Sequence, residues 1–328
     1  MATTINVQNA DDFKSVLYPI LVDITQDSDT VTDVRIISGG TTYIKQITGS
    51  QTINVADYAK PLLNPRPLAL SENQKVWVFS GRQTDVYISV DDVDDIVSDT
   101  VYYIVGGNKI NHLDYFNCGP VLSDLHKRYI SPGEKDEVSF VVCGAFVPVD
   151  VKMIVPAEGT ETLLFNGYDE SPFGVSFEVT SPQSDFYVLY EPLEASHFAQ
   201  PTYRVDYEVR RSCGVRLCWI NAYGAIDAWT FNTVNSVEVS AEKEKMYTVS
   251  GWMTTSIQAE ETTTVVSQML PRAMIGALSQ IVMSERAWIM EKDGTFTPID
   301  IITESAVIRE RGAVSSLEVK YRHSTRLL

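Results

Sequence analysis

The side chains with the most chemical potential are four cysteines, four histidines and 43 carboxylates, set against 26 lysines and arginines. None of them stands in a spacing that makes chemistry. Cys213 and Cys218 lie five apart on one candidate strand, so they point to opposite faces and cannot share a metal ion. His112 has Asp114 and Cys118 downstream, a spacing that matches no ligand motif. The run Asp91-Asp92-Val93-Asp94-Asp95 is the densest acidic cluster, yet it lacks the glycine and the distal glutamate of an EF-hand loop and reads as a solvated turn or a helix start. There is no G-x-S-x-G elbow, no phosphate-binding glycine loop and no H-E-x-x-H. A glycosidase needs only two carboxylates across a cleft, but no pair stands out. The expectation is a protein that is not an enzyme, with no cofactor, no metal, and cysteines kept as buried free thiols.

The most distinctive stretch is aromatic. Cys218-Trp219-Ile220-Asn221-Ala222-Tyr223-Gly224-Ala225-Ile226-Asp227-Ala228-Trp229-Thr230-Phe231 places rings on either side of Asn221 and Gly224, residue types that let a chain turn. This predicts a hairpin with strands over 215–220 and 228–234 and a left-handed residue at Gly224. Its tip, Ala222, Tyr223, Gly224 and Ala225, is the expected contact for a partner. Trp219, Tyr223, Trp229 and Trp252 would make a sugar-stacking platform if exposed, and hairpin shoulders in a core if buried.

Around that hairpin, short β-branched runs alternate with turn residues about every eight to twelve positions, which predicts a mainly β chain of tandem sandwich or barrel domains. Three units are expected: a sandwich over 1–130, a second over 131–260, and a helix plus β-hairpin unit over 261–328 that closes them. Few helices are expected. A one-turn helix is read at 57–63 and a short one at 121–129. The best is an amphipathic helix over 273–283, whose Met274, Ala277, Leu278, Ile281 and Val282 form one stripe after Pro271. In the strand over 203–210, Tyr203, Val205, Tyr207 and Val209 face one way and charged residues the other. A strand over 236–240 is read as ending in an exposed turn at Glu242-Lys243-Glu244-Lys245.

The net charge of −17 is uneven: acidic residues outnumber basic ones 16 to 10 up to Arg128, 18 to 8 from Tyr129 to Ser250, and 9 to 8 thereafter. So acidic a surface repels phosphate, which argues against sequence-specific nucleic-acid binding while leaving room for DNA to pass nearby. The last twenty residues are locally basic, with Arg309, Arg311, Arg322 and Arg326 among them. That cluster suits either a solvated strand face or an acidic patch on a neighbouring copy. No apolar run approaches the roughly 18 residues that span a bilayer, and the N-terminus has neither a basic patch nor an apolar core, so no membrane association and no secretory signal are expected.

Three stretches together resemble a known group: the opening Ser15-Val16-Leu17-Tyr18-Pro19-Ile20-Leu21-Val22-Asp23-Ile24, the central hairpin from Trp219 to Phe231, and the closing unit from Trp288 to Arg322. They are similar to virion structural proteins of the neck and tail of tailed bacteriophages of Bacteroidetes, including the crAss-like phages. The shared hairpin pattern is a tryptophan, an aliphatic residue, asparagine, an aromatic-glycine step, an aspartate and a final aromatic-Thr-Phe. The resemblance implies a structural protein of the virion, assembled in the host cytoplasm as a homo-oligomeric ring beside other neck or tail proteins. A receptor- or glycan-binding β-sandwich at a tail tip is the alternative it leaves open. It carries over no catalytic position.

Overall fold

A computed structural model describes residues 4–7, 13–15, 19–26, 31–38, 40–59, 67, 76–77, 83–90, 101–104, 123–140, 148–168, 175–192, 202–306 and 314–323. The acidic run at 91–95, the trio His112, Asp114 and Cys118, and the arginines Arg309, Arg311 and Arg326 lie outside the described residues. The chain is mainly β, with three short helices among the described residues.

Three buried clusters organise the sheets. In the first, the three-stranded sheet of Thr4–Val7, Leu21–Thr25 and Gln51–Asn54 contributes Val22, Ile24 and Ile53. A five-stranded sheet contributes Val34, Ile36, Ile47, Val86, Ile88 and Val90 to the same core. β-branched residues at every second position explain this: one face of each strand is apolar, and only a facing sheet can cover it. The helical turn Ala56–Ala59 closes one end, with Asn54 Oδ1 accepting from the backbone N–H of Ala56 and Ile20.

The second cluster fills a sandwich in the middle of the chain. One layer runs Lys127–Ile130, Tyr203–Val209, Phe186–Pro192, Pro148–Val155, Thr160–Tyr168; the other runs Lys135–Phe140, Val175–Thr180, Val76–Trp77. Phe186 and Tyr207 stack at 4.3 Å within it. The alternation read at 203–210 holds for Val205 and Tyr207, which are buried, and Arg204, which is exposed. Glu208 departs from it, buried on the polar side beside Lys127 at 2.7 Å.

The third cluster lies under a seven-stranded sheet ordered Ile226–Phe231, Val215–Ile220, Ala287–Met290, Phe296–Ile301, Glu318–His323, Gly251–Val266, Thr233–Thr248. The central hairpin thus shares a sheet with the end of the chain. Its strands are Val215–Ile220 and Ile226–Phe231, with Leu217 opposite Trp229 and Trp219 opposite Asp227. At its base, a Cβ on Gly214 would fall 1.5 Å from the Phe231 carbonyl oxygen, so only glycine fits.

Three local expectations need correction. Residues 123–129 are not helical: Lys127–Ile130 is a strand that pairs in parallel with Tyr203–Val209. A sheet ladder satisfies more backbone groups there than one isolated turn of helix would. The helix over 273–283 is interrupted, running Arg272–Leu278 and then Gln280–Met283, with the Ser279 hydroxyl donating to the Gly276 carbonyl at the break. Finally, Glu242-Lys243-Glu244-Lys245 is no turn. It lies inside a 16-residue strand, and the reversal comes at 248–251, where Gly251 adopts φ 111° and Thr248 Oγ1 donates to the Gly251 carbonyl.

Candidate functional site

The tip of the central hairpin is built by Asn221. Its Oδ1 accepts from the N–H of Tyr223 at 2.9 Å and of Ala225 at 3.2 Å, while Gly224 takes the left-handed conformation at φ 81°. The tip is then tied down. Tyr223 donates its hydroxyl proton to Asp124, the Gln280 amide donates to the same carboxylate, and the Ala222 N–H donates to Gln280 Oε1. Gly224 and Ala225 are buried, and Ala222 and Tyr223 half-buried. Through these bonds the tip, where a partner contact was expected, is docked on the helix Gln280–Met283 and the loop at 123–126.

Behind the tip the hairpin reaches two of the three cores. Cys218, Ile220, Ile226 and Ala228 enter the first, and Leu217, Trp219, Trp229 and Phe231 enter the third. On its edge facing the middle sandwich, polar groups take over. Arg128 donates to Asp136 at 2.9 Å and to Asp227 at 2.7 Å, and Arg216 stands 2.9 Å from the other Asp136 oxygen. Tyr207 donates to Asp136 at 2.8 Å, and Thr230 donates to Glu134 at 2.7 Å. Burial disfavours the Arg128 charge, but Asp136 and Asp227 more than reverse this and hold the guanidinium above its ordinary range. Burial pushes the Asp227 carboxyl up to about 6, although Arg128 pulls against it. The arrangement locks three segments together, with Arg128, Asp136, Arg216 and Asp227 all buried. Among the described residues no group of three or more His, Cys, Asp or Glu could hold a metal ion.

Of the tail arginines, Arg322 is held within the chain. It pairs with Glu260 and, at 2.7 Å, with Asp300. The four aromatic residues considered for sugar stacking are dispersed: Trp219 and Trp229 are buried, Tyr223 is hydrogen-bonded at the tip, and Trp252 stands elsewhere at 71% exposure.

One of the two longest strands among the described residues runs through the turn expected at 242–245. Thr233–Thr248 and Gly251–Val266 form a two-stranded ribbon of 16 residues per strand, roughly 50 Å long at the usual strand rise. Only Thr262–Val266 pairs onward, with Glu318–His323. Among the described residues, Thr233–Thr248 has no partner on its outer edge, and neither do residues 251–261. The register places Val237, Val239, Ala241, Tyr247, Trp252, Ile257 and Ala259 on one face, and Glu238, Glu242, Glu244, Glu260 and Gln258 on the other. The apolar face continues the core side of the sheet, where Val265 lies opposite Val319. Val239, Tyr247, Trp252 and Ile257 on this face are each 60% or more exposed. Tyr247 and Trp252 meet edge to face at 5.3 Å near the reversal. The signal was present as the alternation Val237-Glu238-Val239-Ser240-Ala241-Glu242, masked by the turn-like composition of 242–245.

Layered sheets around three cores make this a β-sandwich protein. No protein-family model matches the sequence, and no curated protein does. Among solved structures, the fibronectin(III)-like modules of Clostridium thermocellum CbhA align at 12% identity over 63% of this chain and 94% of theirs, with a TM-score of 0.21. A 1.5-MDa bacterial ice-binding adhesin aligns at 11% identity over 98% of both chains, with a TM-score of 0.19. A complex of Dpr2 Ig1-Ig2 with DIP-Theta Ig1-Ig3 aligns at 10% identity over 98% of this chain and 89% of that one, also with a TM-score of 0.19. Similarity at this level carries no functional argument.

Proposed function

We propose that the protein is a non-catalytic structural component of a tailed phage virion, assembling as a homo-oligomeric ring in the neck or tail. One observation carries the reading: a ribbon whose outer part stands clear of every core and shows water an apolar face that includes Val239, Tyr247, Trp252 and Ile257. Large exposed apolar side chains gathered on one strand face mark an interaction site, and a projecting two-stranded arm gains nothing for the fold that bears it. The buried Arg128, Asp136, Arg216 and Asp227 cluster supports the same reading, because it braces the body from which the arm extends. The acidic balance of the chain suits a protein past which DNA slides without binding.

Mass photometry and light scattering across a concentration series test it, together with mass spectrometry of purified phage particles. Expected are closed oligomers of one size and the protein among the virion components. A chain that stays monomeric at its highest soluble concentration and is missing from particles would overturn the proposal.

A further inference from the structure

We infer that the ribbon's partner is the ribbon of a second copy of this chain, joined edge to edge and head to tail, the outer edge of Thr233–Thr248 in one copy on residues 251–261 of the next. This rests on the ring reading above and specifies its contact. Among the described residues both edges are open along the outer ribbon, so each copy offers unpaired backbone N–H and C=O groups on two different strands. Such an edge is a template for another strand. Two unlike edges on one ribbon are what a heterologous, ring-closing interface requires.

Charge selects the orientation. On the apolar face the ribbon carries Lys243 and Lys245 on one strand and Glu261 on the other. Head-to-tail contact therefore sets a lysine edge against a glutamate edge. Within one ribbon these charges are out of register, since Lys243 lies opposite Ile257 and Glu261 opposite Val239. A stagger of four residues between copies brings Lys243 opposite Glu261, Lys245 opposite Ala259 and Tyr247 opposite Ile257, and strands that close around an axis need such a stagger. The same stagger puts Glu244 opposite Glu260 on the wet face, where Arg322 already neutralises Glu260. Lysines in mid-ribbon on the apolar face also disfavour lipid as the occupant, since a charge facing lipid at that depth is costly.

The full-length chain tests the seam. With Lys243→Cys and Glu261→Cys in one molecule, mild oxidation should give a ladder of disulfide-linked multimers on a non-reducing gel. Inside one ribbon the two positions are about 13 Å apart along the strands, too far for a disulfide. Separately, Lys243→Glu with Lys245→Glu should raise the protein concentration for half-assembly about tenfold, and Glu261→Lys added to them should restore most of it. A matched reversal at exposed Arg272 and Lys292 controls for net charge and should change assembly far less. Melting temperature should not move, as these side chains lie outside all three cores. Oligomers that form normally, without the ladder and without response to the reversal, would overturn the seam and leave the ring standing; a wild-type chain that never assembles would overturn both.

Discussion

At the scale of single residues, Asp227 shows how a side chain acquires a role from partners far away in sequence. It is fully buried opposite Trp219, and its cation is Arg128, 99 positions earlier. Burial raises its carboxyl to about 6. The folded protein then takes up a proton as pH falls below about 6, whereas an unfolded carboxylate waits until about 4. Between those values acidification favours the folded state through this group; above about 6 the cost of holding the charge is constant. Wild type should gain stability relative to Asp227→Asn between pH 6 and pH 4, by up to about 3 kcal/mol, and urea unfolding at several pH values measures the difference. A difference independent of pH would mean that Asp227 titrates as it does in the unfolded chain. The hairpin pattern includes this aspartate, but nothing local announces its burial, since the spacing from Asn221 to Asp227 reads only as a loop. Its ion pair comes from Arg128, on a strand of the middle sandwich.

Single elements were legible where their backbone partners are close in sequence. The strand Val215–Ile220 and the left-handed Gly224 follow from apolar spacing and from turn chemistry. The ribbon was not legible for the opposite reason: no core covers its outer part, so burial leaves no mark on it, and Glu242-Lys243-Glu244-Lys245 has the composition of a turn. Its length is set by where a glycine permits the reversal, at Gly251. The two kinds of hairpin should respond oppositely to loss of an aromatic side chain. Trp229 is buried, donates its indole proton to Gln268 and packs 5.0 Å from Tyr129, so Trp229→Ala should cost about 3–5 kcal/mol. Trp252 touches Tyr247 at the exposed end, and Trp252→Ala should change stability by no more than about 0.5 kcal/mol. Chemical denaturation of the two variants settles it. A large loss at Trp252 would mean that the ribbon is part of the folding unit rather than an arm on it.

For the whole molecule, the deciding quantity is charge. Each copy carries −17, and the wet face of the ribbon adds Glu238, Glu242 and Glu244 to one wall. Copies therefore repel at long range, while exposed opposite charges at a contact contribute only about 0–1 kcal/mol per pair. Repulsion of this kind fades beyond about 10 Å at 0.1 M salt, so added salt weakens it more than it weakens a backbone ladder with apolar neighbours. Raising salt from about 0.02 M to about 0.3 M should thus lower the protein concentration at which oligomers form. Light scattering across that range reads the effect, and assembly that weakens with salt would mean that the contact is held by ion pairs instead. The same charge sets the behaviour toward DNA: phosphate binding strengthens as salt falls, so a chain this acidic should show no mobility shift with duplex DNA even at the low end of the range. Retention of DNA there would remove the argument that the acidic wall serves passage.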